Sequence, residues 1–420
     1  MAVRPHPHDH DSGEGLLSVE EAREKVLAAV EPLAPLHLPL TEAAGCVLAE
    51  RIVAGEDIPA FASSAMDGFA VRAADVEEAT PAGPVELRVV GRAPIGRPPE
   101  GTVGRGEAIR IVTGAPIPAG ADAVVPVEDT ELVGDAVRVL APVPEGKHVR
   151  PSGEDVRAGE VLVPAGRRLG PGELGLLAAA GHAQVPVHPR PRVVVLSTGD
   201  ELVEPSKEAG FGQVRDVNAY LLHGALRDVG AIPVMAGIVR DDVDDLRDTV
   251  LSYLVQADAF ISSGGVSVGE RDVVKAAFFR RGELDFYRVA MQPGMPQGFG
   301  HIEGKPYFGL PGNPVSVFVS FEVFIRPALL KMMGRRQLGR PEVTARLEED
   351  VTGPRGKTQF ARVLVRRGPD GWVARPTGGR GSNLIATVAR ANGLAVIPPG
   401  VETAPAGSEV RVLLFRSLED

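Results

Sequence analysis

The sequence predicts a multidomain chain of the α/β plus β class, and three observations lead to this prediction. The chain has 420 residues, which is too long for one hydrophobic core and suggests roughly two to four domains. Residues 192–334 alternate buried strand patterns with amphipathic helix patterns, as in a parallel sheet covered by helices on both faces. Residues 54–170 and the segment from 342 onward contain short β-type runs separated by Gly and Pro.

The composition limits the classes of function. Hydrophobic residues make up 44% and charged residues 24% of the chain, as in ordinary globular proteins. The net charge of −10 argues against a general nucleic-acid binder, which needs a basic face. It leaves room for a small anionic ligand, because local charge can oppose net charge. The single cysteine, Cys46, excludes a disulfide framework and a cysteine metal cluster.

Residues 1–15 are predicted to form a disordered tail. They lack the apolar segment of a signal peptide, and the chain has no apolar run long enough to span a membrane. We therefore expect a cytoplasmic protein. The alternating His6, His8 and His10 could bind a metal, but a disordered leader is the favoured interpretation.

The first predicted helix begins near residue 18. Ser18 and Glu21 have the spacing of a capping box, and Pro32 is expected to end the helix. Its apolar face comprises Ala22, Val26, Leu27 and Val30. A second short helix is predicted at 170–181, after the β-rich segment.

The α/β region has predicted strands and helices in alternation. Gly230 is expected to end the first helix, Asp241 to cap the second, and Asn313 to cap the last, with Pro314 as its first residue. Ligands of such sheets bind beyond the carboxyl ends of the strands. "STGDEL" (197–202) follows one of these strands, so a site is expected there.

The strongest local signal is "SSGGVSVGERD", residues 262–272. Gly264 and Gly265 allow close backbone approach, so that successive N–H groups can cradle an anion. Three serines add hydroxyl donors: Ser262, Ser263 and Ser267. Asp272 could cap the next helix or hold a cation on the same phosphate. The segment has neither a Walker A nor a GxGxxG spacing, and a tight turn is the alternative.

Several loops rich in glycine carry a carboxylate. Asp67 lies in "SSAMDGFAVR", where Asp-Gly alone would indicate a turn. The full set is Asp67, Asp155, Glu201, Asp241 and Asp272. Their carboxylate oxygens suit a Mg²⁺ ion that bridges the protein to substrate phosphates. Alternatively, two of these carboxylates could act as a general acid and a general base. No HExxH, GxSxG or CxxC pattern accompanies them.

Nine motifs in order carry a resemblance to a known family. They are "SSAMDGFAVR", "IRIVTGAPIPAGADAVV", "RPSGEDV", "LSTGDEL", "IVRDD", "SSGGVSVGERD", "QPG", "GLPGNPVS" and "GSNLIATVARANGL". Together they resemble the molybdopterin molybdenumtransferase family of the MoeA type, which includes the E domain of gephyrin. The resemblance extends from about residue 16 to 416.

The resemblance implies an L-shaped homodimer with four domains in each chain. The elongated N-terminal domain would comprise 16–53 and 151–190, with an inserted β-rich domain at 54–150. A MogA-like, doubly wound α/β domain that binds molybdopterin would span 191–335. The region 340–418, which its strand pattern alone predicts to be a small barrel or sandwich, would be a β-barrel.

The resemblance also implies the reaction: molybdate is inserted into adenylylated molybdopterin, with Mg²⁺ assisting, and AMP is released. The partners implied are small-molecule substrates, a MogA-like adenylyltransferase and the molybdoenzymes that receive the cofactor; neither nucleic acid nor membrane is expected. By motif match the catalytic positions are Asp67, Asp155, Glu201, Asp241 and Asp272, of which Asp67, Glu201 and Asp272 would hold the metal. The binding positions are Thr113, Ser262, Gly264, Gly265, Ser267, Lys275, Arg288, Gln292, Ser316, Arg362 and Ser382.

One stretch departs from the family pattern. Family members commonly read Lys-Pro-Gly-Lys-Pro where this chain has Gln292 and Met295, and they have a further Lys at the position of Arg288. Two cations are therefore lost, and we expect weaker anion binding unless Arg271, Lys275, Arg362 or Arg380 compensates. The alternative to an active enzyme is an altered paralogue that carries molybdopterin or acts as a scaffold. An adenylyltransferase sharing only the α/β region is disfavoured, because the N-terminal and C-terminal motifs are also present.

Overall fold

A computed structural model describes residues 15–265, 273–278 and 284–416. The chain divides into two compact units. The larger unit comprises Met1–Leu36, Gly45–Ala49 and Pro186–Asp420, and the smaller unit comprises His37–Ala44 and Glu50–Val185. The tail predicted at 1–15 lies almost entirely outside the described residues.

The helices have the following bounds. They are Val19–Ala28, Leu40–Ala43, Pro171–Ala179, Asn218–Val229, Val243–Tyr253, Val273–Phe278, Pro314–Ser320, Arg326–Met332 and Ile385–Ala389. A π-helical turn, Phe321–Ile325, joins the seventh and eighth of these. Short 3-10 turns lie at Ala73–Asp75 and Val127–Asp129.

In the smaller unit, a six-stranded sheet confirms the predicted β-rich character. Its strands in spatial order are Ala123–Pro126, Gly68–Val71, Glu107–Ile111, Val85–Ala93, Ala136–Val139 and Thr130–Val133. Shorter strands of this unit are Ile52–Val53, Ser63–Ser64, Val149–Arg150 and Val161–Val163. Phe69 and Val71 lie in one apolar cluster with Leu87 and Val125, and Ala70 lies in a second cluster, so this strand is buried on both faces.

The larger unit contains the predicted α/β sheet. Four parallel strands lie in the order Ile232–Val239, Arg192–Thr198, Ala259–Ser263 and Lys305–Leu310. Two antiparallel strands then complete the sheet, Pro296–Ile302 and Leu284–Arg288. Neither strand was predicted from the sequence; in the first of them Pro296 and two glycines interrupt the β-pattern.

Helices cover both faces of this sheet, as predicted. Val193, Val195 and Ile261 pack with the helix Asn218–Val229 and with the helical segment 314–332. Val194, Leu196 and Phe260 point the other way, toward Val243–Tyr253 and Val273–Phe278. The continuous apolar strands of the sequence follow from this two-sided burial.

The local helix signals were right in part. The Ser18–Glu21 capping box is present, with Glu21 N donating to Ser18 Oγ (3.1 Å) and Ser18 N to Glu21 Oε2 (2.8 Å). This helix ends at Ala28, before the residue Pro32 that we expected to end it. Asp242, not Asp241, caps the second α/β helix, since its Oδ1 accepts from the N–H groups of Asp244 and Asp245.

The C-terminal region is a closed barrel of five strands, so of the two architectures left open by the strand pattern the barrel is correct. The strands in order around it are Thr358–Gly368, Gly371–Pro376, Glu342–Leu347, Glu409–Leu414 and Gly393–Ile397, and the last pairs with the first. Val351–Thr352 and Thr403–Ala404 form a separate pair.

A short strand from the α/β region joins the edge of this barrel. Met291–Gln292 pairs in parallel with Thr358 and Gln359. The remaining strands in the described residues are Leu36–Pro39, Val47–Leu48, Gln184–His188, Leu202–Val203 and Val214–Arg215. Among the described residues, none of the helices combines the length and apolarity that a membrane crossing requires.

Candidate functional site

The carboxyl ends of the parallel strands carry buried polar atoms with no protein partner. Thr198 Oγ1, Ser262 Oγ and Asn218 Oδ1 are buried, and none has a hydrogen-bond partner among the described residues. Buried polar atoms are nearly always paired in native proteins, so unpaired ones mark a position for water or a ligand. The three atoms belong to the edge of the sheet where ligands of this fold class bind.

Backbone lies close to these side chains. Asn218 Nδ2 donates to the carbonyl of Gly312 (2.8 Å), and Gly264 N donates to the carbonyl of Leu310 (3.0 Å). Gly264 has φ +94°, and a Cβ there would lie 2.6 Å from the Thr198 carbonyl oxygen. Only glycine therefore fits at this position, and the strand end is lined by backbone rather than by bulky side chains.

Three carboxylates follow the neighbouring strands of the same sheet. Asp200 N donates to Asp241 Oδ2 (3.4 Å), and Asp241 N donates to Asp200 Oδ1 (3.3 Å). Burial raises the pKa of Asp241, and the nearby charges of Asp200 and Glu201 raise it further. The sequence-predicted acids Glu201 and Asp241 are thus brought together, and their repulsion favours a bound cation.

A cavity lies between the α/β region and the barrel within the larger unit. Its volume is about 610 Å³. It is lined by Met291, Gln292, Pro293, Gly294, Met295, Ser316, Pro354, Lys357, Arg380, Gly381 and Ser382. The structure therefore brings together Gln292, Ser316 and Ser382, three of the residues matched to the family, with two cations.

Two predicted binding arginines point elsewhere. Arg362 is buried, and its Nε donates to Thr387 Oγ1 (3.1 Å) and its Nη2 to the Gly379 carbonyl (2.6 Å). Burial lowers the pKa of this guanidinium. Arg288 is exposed, with Nη2 3.9 Å from the Met295 sulfur. Neither residue lines the cavity.

The remaining predicted residues of this unit have different positions. Gly265 adjoins Thr198, since a Cβ built on it would lie 3.1 Å from Thr198 Oγ1. Lys275 lies on the helix Val273–Phe278, with its ammonium 5.7 Å from the centre of the Phe286 ring. Ser267 and Asp272, together with Arg271, fall outside the described residues.

In the smaller unit, Asp67 and Thr113 form a direct pair. The Asp67 carboxylate accepts hydrogen bonds from Thr113 N (2.7 Å) and Thr113 Oγ1 (2.8 Å). These bonds hold the pKa of Asp67 below its ordinary value. Asp67 precedes a strand rather than occupying a simple turn, and a Cβ at Gly68 would lie 1.9 Å from the Val125 carbonyl oxygen.

Asp155 lies in an exposed loop that another acid fixes. Asp155 N donates to the Ile58 carbonyl (3.1 Å). Asp57 accepts from Ala158 N (2.9 Å) and Ser152 Oγ (3.1 Å), and these bonds lower its pKa. Asp57 therefore orders the segment that presents Asp155.

Sequence reasoning missed Thr198, Asn218 and Lys357. Thr198 lies inside the "STGDEL" motif, where its position at a strand end was the available signal. Asn218 begins a helix, and only the fold shows that its side chain reaches Gly312. Lys357 lies five residues before the predicted Arg362, but no motif includes it, and only the fold shows that it lines the cavity.

Family models match three parts of the chain. Residues 17–181 match the MoeA N-terminal region (domain I and II). Residues 194–331 match a probable molybdopterin binding domain, and residues 344–415 match the MoeA C-terminal region (domain IV).

Relatives match nearly the whole chain. Molybdopterin molybdenumtransferase 2 of Mycobacterium tuberculosis is 44% identical, covering 94% of this chain and 98% of that protein. The molybdopterin molybdenumtransferase of Haemophilus influenzae is 34% identical, covering 96% and 100%. A crystal structure of a molybdopterin biosynthesis MoeA protein from Pyrococcus horikoshii has a TM-score of 0.81 and 34% identity, covering 96% and 100%. The chain therefore belongs to the MoeA family.

Proposed function

We propose that the protein is a molybdopterin molybdenumtransferase, which inserts molybdate into adenylylated molybdopterin and releases AMP. The cavity lined by Ser316, Ser382, Lys357 and Arg380 carries this proposal, because it offers hydroxyl donors and positive charge together. Such a combination suits a tetrahedral oxyanion. The printed names of the relatives from Mycobacterium tuberculosis and Haemophilus influenzae support the same activity.

The strand-end residues would bind molybdopterin. Thr198, Ser262 and Asn218 each present an oxygen with no hydrogen-bond partner in the described structure, and a pterin or a phosphate ester can pair with such groups. Gly264 and Gly265 let the backbone pack directly against Thr198 at this strand end, where a side chain on either residue would not fit. The family model that matches residues 194–331 is described as a probable molybdopterin binding domain, which supports this role.

Mg²⁺ would be held by the acids. Carboxylate oxygens are the ligand type that Mg²⁺ prefers. The pKa of Asp241 is raised mainly by burial, and the negative charges of Asp200 and Glu201 raise it further. Among the described residues, no three acids, histidines or cysteines converge as a complete metal site. We expect Glu201 and Asp241 to supply part of the coordination and substrate phosphates the rest. When bound, the ion would neutralise phosphate charge.

The assignment extends to assembly and location. We expect a cytoplasmic homodimer that receives its substrate from a MogA-like adenylyltransferase and delivers the cofactor to molybdoenzymes. The resemblance to the family supports this expectation, and sedimentation of the purified protein tests the dimer.

A turnover assay tests the proposed function. Purified protein is incubated with adenylylated molybdopterin, Mg²⁺ and molybdate, and AMP release and cofactor formation are measured. We expect turnover by the native chain and its loss in Asp67→Ala, with the circular dichroism spectrum unchanged. Binding of the adenylylated substrate without AMP release would contradict the proposal.

That outcome would favour a second function. The neutral side chains of Gln292 and Met295 line the cavity where the family commonly has lysines. A paralogue that has given up molybdate handling would still bind molybdopterin and act as a carrier or scaffold. The same assay separates the two functions, because a carrier binds the substrate and releases no AMP.

A further inference from the structure

The charge in the cavity comes from the barrel side. The wall contributed by the α/β region consists of residues 291–295 and Ser316, which are all neutral. The barrel contributes Lys357 and Arg380, the two positively charged residues of the lining. Arg380 is exposed, and no hydrogen bond or ion pair joins its side chain to another residue in the described part of the chain.

Backbone contacts fix the segments that carry these cations. Thr358 N, next to Lys357, donates to the Ala290 carbonyl (2.9 Å), which anchors it to the neutral wall. Arg362 Nη2 donates to the carbonyl of Gly379 (2.6 Å), directly before Arg380. Arg362 is therefore a positioning residue for this segment, held in turn by its bond to Thr387.

The two serines are fixed relative to each other. Val315 N donates to the carbonyl of Ser382 (3.0 Å), which ties the start of the helix Pro314–Ser320 to the loop that carries Arg380. Ser316 and Ser382 both line the cavity. Their hydroxyls can donate to an oxyanion that the cations attract.

The neutral wall is also rigid. Val289 N donates to the Met295 carbonyl (2.8 Å), and Gln297 Nε2 donates to Ser320 Oγ (2.6 Å) and to the Gly294 carbonyl. The nearby Arg288 lies against the Met295 sulfur rather than in the cavity lining. The charge that this wall lacks is therefore not replaced from its own side.

We propose that Lys357 and Arg380 are the cations that bind molybdate in this chain, in place of cations on the 291–295 segment. The inference rests on the proposed function, which supplies the identity of the oxyanion. It assigns the positive charge to two residues of the barrel, with Ser316 and Ser382 as neutral donors.

Binding measurements on charge-removal variants test this assignment. Lys357→Gln and Arg380→Gln are compared with the native chain for molybdate binding by equilibrium dialysis, with molybdenum quantified by mass spectrometry. Loss of one charge-assisted hydrogen bond should raise the dissociation constant by roughly tenfold to a hundredfold. Arg355→Gln is the matched control, because Arg355 lies on the same loop but pairs with Glu402 and does not line the cavity. This control should bind molybdate like the native chain.

A charge-relocation variant separates direct binding from a structural role. Met295 also lines the cavity, so Met295→Lys placed in the Lys357→Gln background should recover most of the lost affinity. A variant that had merely disturbed the barrel would not be rescued in this way. Circular dichroism and thermal unfolding confirm that each variant is folded.

The outcomes distinguish this inference from the proposed function. Native binding with unchanged affinity in both Gln variants would overturn the inference, and so would a native chain that binds no molybdate. Weakened binding in both variants, with rescue, supports it even if the native chain fails to release AMP. In that case only the proposed transferase activity is lost.

Discussion

The close approach of Gly264 to Thr198 predicts a severe effect of one added methyl group. In Gly264→Ala, the new Cβ would lie 2.6 Å from the Thr198 carbonyl oxygen and 2.9 Å from Thr198 Oγ1. Ordinary carbon–oxygen contacts are about 3.3 Å or longer, and the backbone of a central strand cannot easily move. The strand end must therefore open, or the segment after Gly264 must shift.

The expected loss of folding stability in Gly264→Ala has two parts. A non-glycine residue at φ +94° costs about 1–2 kcal/mol, and overpacking adds about 1–3 kcal/mol. Gly304→Ala is the matched control, since Gly304 has φ +76° in the same sheet's hairpin and nothing lies within 4 Å of its Cβ position. Gly304→Ala should show the first cost alone, and Gly264→Ala should show both.

Two measurements check this reasoning. The urea midpoint of unfolding should fall further for Gly264→Ala than for Gly304→Ala, and molybdopterin affinity should fall only for Gly264→Ala. Equal midpoints and equal affinities in the two variants would refute the view that this strand end is a closely packed binding surface.

Three further predictions concern charged groups. Thr113→Val removes one of the hydrogen bonds that lower the pKa of Asp67, so this pKa should rise and the acidic limb of the pH–rate profile should move to higher pH. Because the pKa of Asp241 is raised, the folded state loses stability as the pH rises from the ordinary pKa of this carboxyl to its raised pKa. In thermal unfolding without metal, Asp241→Asn should remove that loss near neutral pH. The same variant should be stabilised less than the native chain by added Mg²⁺. Arg340→Leu should lower the free energy of unfolding by about 3–5 kcal/mol in urea titrations, because it leaves a buried glutamate unpaired, whereas Arg355→Leu at an exposed pair should have no measurable effect.

The regular elements were largely predictable from the sequence, because local patterns decide them. The Ser18 capping box and the buried strand before "STGDEL" are set by nearby residues and by two-sided burial. The helix cap at Asp242 instead of Asp241 shows the limit of such signals, since adjacent aspartates offer the same side chain and geometry selects one.

The candidate site was predictable only where motifs carry it. The contact between Asp67 and Thr113 joins two glycine-rich segments that both contained a signal, yet their pairing across the sheet depends on strand order. Lys357 reaches the cavity because a parallel strand pair brings Thr358 beside Met291. No local pattern encodes that pairing, since the two segments are far apart in sequence and belong to the α/β region and the barrel.

The pairing of Met291–Gln292 with the barrel edge also bears on how this chain can be altered. A two-residue strand from the α/β region pairs with the neighbouring barrel strand, so the two regions are not independent modules. Exchanging the barrel with that of another family member would carry Lys357 and Arg380 away while leaving Gln292 and Met295 behind. The cavity of such a chimera would have too much or too little positive charge. We therefore expect the residues on the two sides of this boundary to change together in evolution.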